Sequence, residues 1–74
     1  WMRLNPQELA EILSNGGSLR IGSQGLSDDQ LLHLGMYAKG RGLLTIVVNS
    51  PLSHATMVQI AASGDGAVTF DLTG

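Results

Sequence analysis

The segment LSDDQLLHL, residues 26 to 34, brings Asp28, Asp29 and His33 into one short stretch. Two carboxylates and an imidazole are the groups of general acid–base chemistry, provided they converge on one proton. On a helix, adjacent residues point about 100° apart, so Asp28 and Asp29 diverge instead of sharing a site. Both fall in the first turn after Ser27, where a helix N-terminus stabilises a carboxylate by ~0.3–1 kcal/mol. Capping and dipole chemistry account for them, and His33, one residue before the apolar Leu34, is expected on the helix flank.

Ser53 and His54 are a second suggestive pair. Chain neighbours do not make a nucleophile and its base, because the two must meet in space with a third group orienting the imidazole. Ser53 is better used as a helix cap. No G-x-S-x-G elbow, P-loop lysine or metal-binding histidine pair occurs in the chain. With no cysteine and no metal-ligand spacing among the two histidines and six acids, neither a disulfide nor a metal reinforces the fold. The expectation is a non-enzyme without cofactor, metal or catalytic residue.

The elements that hold these residues repeat. Leu4, Leu26 and Leu52 each lead a segment of one design, followed by the capping residues Asn5, Ser27 and Ser53. Leu9, Leu31 and Met57 stand five residues after the leading leucine, and Ile12, Leu34 and Ile60 stand eight after it. That is helical spacing, with the leading leucine as a hydrophobic staple. Pro6 suits a first helical turn, Glu8 can close a capping box with Asn5, and Gln30 can do so with Ser27. Thr56 makes the third box weaker. Met36, Tyr37 and Met57 offer adaptable apolar surface of the kind that repacks against partners, but at helical spacing such residues are more often core than interface.

Each helix runs into glycines, Gly16-Gly17, Gly40-Arg41-Gly42 and Gly64-Asp65-Gly66, as a C-terminus needing a left-handed residue does. Lys39 and Arg41 there complement the helix dipole. Strands follow at 18–23, 43–49 and 67–72, the outer two alternating apolar and polar. Leu19 and Ile21 face inward in the first, and Val68, Phe70 and Leu72 in the last.

The fold class is α/β: three tandem αβ units, approximately 4–23, 26–49 and 52–72, in a single small domain over 1–74. Parallel pairing by right-handed crossovers follows from strand, helix, strand in so few residues. An order with the first strand in the middle would split the helices between two faces, but the apolar run LLTIVVN belongs at the centre of a sheet. Strand order 1-2-3 places the helices mainly on one face. The other face then shows Ser18, Arg20, Leu43, Thr45, Val47, Ala67, Thr69 and Asp71, with Leu43 and Val47 as an exposed apolar patch.

LRIGSQGL at 19–26 and LTIVVNSPL at 44–52 resemble the βα units of leucine-rich repeat proteins of the ribonuclease-inhibitor type. In the first, glutamine replaces the asparagine of L-x-L-x-x-N-x-L, and the second carries one insertion. The upstream leucine of that family's strand is missing, and the units lie 22 and 26 residues apart. The resemblance is one of construction and implies a binding scaffold.

Composition bounds the function. Charged residues are 14% of the chain and hydrophobic ones 43%, against about 25% charged in an average soluble domain. The basic residues Arg3, Arg20, Lys39 and Arg41 are scattered through a chain of net charge −2, which offers no footprint to nucleic acid. No apolar run approaches the ~18–20 residues of a membrane span, and no signal peptide is evident, so a cytoplasmic location is expected. Trp1, ahead of Met2, is taken as extraneous.

A chain this short has a marginal core, which favours association with other chains. The leading expectation is a protein-interaction or self-assembly module, a homo-oligomer joined through its sheet edges or through Arg20, Leu43, Thr45, Val47, Thr69 and Asp71 on the sheet face. One alternative is a small-ligand or anion-binding domain using Ser23, Gln24, Asn49 and Ser50, in the loops GSQG and NSP at the carboxyl ends of the strands. Another is a piece of a longer solenoid, since a further unit could follow.

Overall fold

The structure is a computed structural model and describes residues 4–73; Trp1, Met2, Arg3 and Gly74 lie outside the described residues. Helices α1 (Pro6–Ser14), α2 (Asp28–Ala38) and α3 (His54–Gly64) alternate with strands β1 (Ser18–Gly22), β2 (Leu43–Val47) and β3 (Val68–Asp71).

Caps set the helix starts. Asn5 accepts the Glu8 amide at 2.8 Å while the Glu8 carboxylate accepts the Asn5 amide at 3.0 Å. Ser27 and Gln30 form the same reciprocal pair at 3.1 and 2.8 Å. In α3 the Ser53 hydroxyl accepts the Thr56 amide at 3.1 Å, but the Thr56 hydroxyl takes Ser53 Oγ–H instead of reaching the backbone. Thr56 also donates to Asp28 Oδ2 at 3.3 Å, tying α3 to α2. At the other ends, Gly40 and Gly66 have φ of +71° and +92° with open space where a Cβ would lie. The left-handed backbone alone demands glycine there.

The strands form one parallel sheet in the order β1-β2-β3. Its register sets Leu19, Leu44 and Val68 in one row, and Ile21, Ile46 and Phe70 in another, all turned toward the helices. Arg20, Thr45 and Thr69, and then Gly22, Val47 and Asp71, form the intervening rows on the opposite face. Leu13, Leu31, Leu34, Leu44, Ile46 and Ile60 are fully buried between helices and sheet. Close approach depends on missing side chains: a Cβ at Gly35 would lie 2.5 Å from Ser63 Oγ of α3, and one at Gly42 would overlap the Gly17 carbonyl oxygen.

The structure corrects several sequence expectations. Leu72 does not face inward; it is 69% exposed, because Asp71 Oδ1 accepts the Thr73 amide at 2.9 Å in a turn that ends β3. Ala67, expected to show on the bare face, is buried; its amide bonds Gly64 O at 3.0 Å and its carbonyl accepts the Leu44 amide at 2.8 Å. In the first unit the deepest residue is Leu13, with Ile12 only half-buried. Met36 and Tyr37 project outward from α2, and Met57 is half-buried. An apolar residue at helical spacing marks a face only to within about a quarter turn, which is enough to carry Met36 and Tyr37 off the buried stripe.

Candidate functional site

Strand alternation gathers the six residues expected on the bare face. Leu43 heads β2 and is 60% exposed, with Thr45 and Val47 half-buried below it. Arg20 on β1 and Asp71 on β3 flank that strand, and Thr69 completes the row through Thr45. The Arg20 guanidinium reaches across β2 and pairs with Asp71 Oδ2. The long arginine side chain thereby shields part of the apolar surface of β2.

The Asp71 carboxyl is held below the usual carboxylate range. The Thr73 hydroxyl and amide contribute most, followed by the hydrogen bond and charge of Arg20; desolvation opposes them. The anionic form is thus the one the surface is built around.

At the carboxyl ends of the strands the structure brings Ser23, Gln24, Asn49 and Ser50 together. Ser23 Oγ lies 2.7 Å from Ser50 Oγ and accepts the Asn49 amide at 3.2 Å, and Asn49 Oδ1 accepts the Gln24 amide at 2.9 Å. Ser23 is 1% exposed. The absence of a side chain at Gly22 lets Asn49 lie close, since a Cβ there would sit 2.7 Å from Nδ2. Ser23 Oγ, Ser50 Oγ, Asn49 Oδ1 and the backbone amides of Gln24 and Asn49 are spent on one another. The result is a clasp between two neighbouring βα loops, and β2 ends at Val47 so that Asn49 can turn into it.

The remaining candidates stand apart. His33 lies exposed on the flank of α2, its Nδ1 2.7 Å from the Asp29 carbonyl oxygen. His54 opens α3 beside its cap Ser53, and Asp28 and Asp29 occupy the first turn of α2. Lys39 and Arg41 are exposed at the amino end of the sheet.

Two concavities escaped the sequence reading. A shallow cleft of about 470 Å³ lies among the helix-to-strand turns, lined by Gly16, Gly40, Arg41, Leu43, Asp65 and Gly66. A groove of about 260 Å³ runs between α1 and α2, lined by Pro6, Gln7, Ala10, Gln30, His33 and Tyr37. The glycine turns were the available signal for the first; the second had no local one. Among the described residues no three His, Cys, Asp or Glu side chains gather as metal ligands, and no helix is long and apolar enough to cross a membrane. No known protein family, curated protein or solved structure matches this chain.

Proposed function

We propose that this chain is a protein-association module that works through its sheet. The observation that carries this reading is the bareness of one sheet face, because parallel sheets are ordinarily covered on both. Here all three helices serve one face, and Leu43 stands 60% exposed on the other. The two outer strands add unpaired backbone groups, and neither β1 nor β3 contains the proline or lysine that discourages strand addition.

The alternative of an anion site at the carboxyl edge has less support, because Ser23 Oγ and the Gln24 and Asn49 amides already take part in the clasp. Light scattering across a concentration series tests the association reading. A mass rising above that of one 7.8 kDa chain supports it; a single-chain mass throughout overturns self-association.

A further inference from the structure

The two edges of the sheet differ chemically, and the repeat shows what each helix flank is built to meet. On α2 the flank turned to α3 carries Asp28, Leu31, Leu32 and Gly35: Asp28 bonds Thr56, the Leu32 carbonyl accepts Ser63 Oγ–H, and Gly35 touches Ser63 and Ile60. One unit later, 26 residues on, the same positions of α3 are His54, Met57, Val58 and Ala61. Leu31 and Gly35 are buried, whereas Val58 is 53% exposed and Ala61 is exposed. This flank has the small, apolar character of a helix contact and no neighbour among the described residues. The free flank of α1 is different. Positions equivalent to Gln30, His33 and Tyr37 are Glu8, Glu11 and Asn15, all exposed.

From this asymmetry we infer that the α3–β3 edge binds a second copy of the same edge, across a two-fold axis, to give a closed dimer. The inference rests on the association reading above and names the surface and the occupant. Joining α3–β3 of one copy to α1–β1 of the next would bring Glu8 and Glu11 to a flank with no Lys or Arg among its described residues, stripping water from two carboxylates with only the His54 imidazole to receive one of them. Like edges meet without that penalty. An antiparallel α3 pair centred between Gln59 and Ile60 sets Val58 of one copy against Ala61 of the other, and His54 against Asp65, an imidazole facing a carboxylate.

The strand agrees with the helix. Because Ala67 and Asp71 give their carbonyls to β2, the alternation of a parallel ladder turns the amides and carbonyls of Val68 and Phe70 outward. Antiparallel pairing with Thr69 on the axis opposes Val68 of one copy to Phe70 of the other, which uses all these outward groups and keeps both side chains on the helix face. A half-interface of about 800 Å² is standard for a stable pair. That is roughly a sixth of the 4678 Å² surface of one chain, within reach of one helix flank and one strand edge.

The test is sedimentation equilibrium on the full chain and three variants, each checked for an unchanged circular dichroism spectrum. Val58→Lys is expected to weaken the dimer at least ~10-fold. Glu11→Lys is expected to leave it unchanged. Thr69→Cys, in a chain without native cysteine, is expected to form a covalent dimer on oxidation, since directly opposed non-hydrogen-bonded residues lie about 4.5 Å apart at Cα. A dimer lost in Val58→Lys supports the inference. Growth beyond two chains, or an assembly insensitive to Val58→Lys, overturns it while association stands; a monomer at every concentration overturns both. Folded Thr69→Cys that fails to cross-link overturns the two-fold register.

Discussion

Arg20 of β1 and Asp71 of β3 pair over the top of β2, so that two residues 51 positions apart bridge the bare sheet face from edge to edge. Thr73 holds the same carboxylate from the other side through its amide and hydroxyl. The bridge links the first strand to the last without passing through the core.

Asp71 titrates below the ordinary carboxylate range in the folded chain. A depressed folded value means that its stabilising contribution is complete above the unfolded value and is lost as pH falls through the folded one. Carboxyl NMR shifts followed through acid should show Asp71 protonating below the ordinary aspartate range. Thr73→Val should move the transition upward more than Arg20→Gln does. The reverse ranking would contradict the assigned causes.

Gly35 is the contact point of α2 with α3, and its missing Cβ leaves room for Ser63 Oγ, which donates to Leu32 O at 3.1 Å and Ile60 O at 2.7 Å. Gly35→Ala should destabilise the fold by ~1–3 kcal/mol through overpacking. Gly35→Ala combined with Ser63→Gly should recover part of that loss, a coupling that urea denaturation of the four-member cycle measures. Strict additivity would show that the two positions do not press on one another.

Removal of the loop clasp should act on stability. Asn49→Ala deprives the exposed Gln24 amide of its acceptor and Ser23 of a neighbour, a change expected to cost ~0.5–1.5 kcal/mol, the net worth of an ordinary hydrogen bond. Ser23→Ala, at a buried position, removes the acceptor of the Asn49 amide and should cost ~1–3 kcal/mol. Denaturation midpoints unchanged in both variants would return these residues to the status of a free ligand site.

The order of elements, the three caps and the parallel 1-2-3 sheet are legible in the chain because each rests on local rules: a staple leucine, a capping side chain, a glycine stop, an apolar run. Strand ends are less so. Leu72 continues the alternation of β3 in sequence, yet the turn made by Asp71 and Thr73 takes it out to solvent. The loops carrying Ser23 and Asn49 could be singled out, but not the mutual bonding of their groups, which depends on the register of β1 against β2. Nothing local announces the Arg20–Asp71 bridge, since parallel register alone brings the two within reach.

Leu43 is 60% exposed at the head of β2. Leu43→Lys should change folding stability by no more than ~0.5 kcal/mol, as surface substitutions do, while making the bare face charged. A loss several times larger in thermal or urea unfolding would mean that Leu43 is part of the packing after all.

Association through the sheet is most directly tested by the mass of the unmodified chain in sedimentation equilibrium from micromolar to millimolar concentration. The expected result is a reversible transition from one 7.8 kDa chain to twice that mass, with no larger species. A single-chain mass at the highest concentration, with the sheet face and both edges still open to solvent, would contradict it.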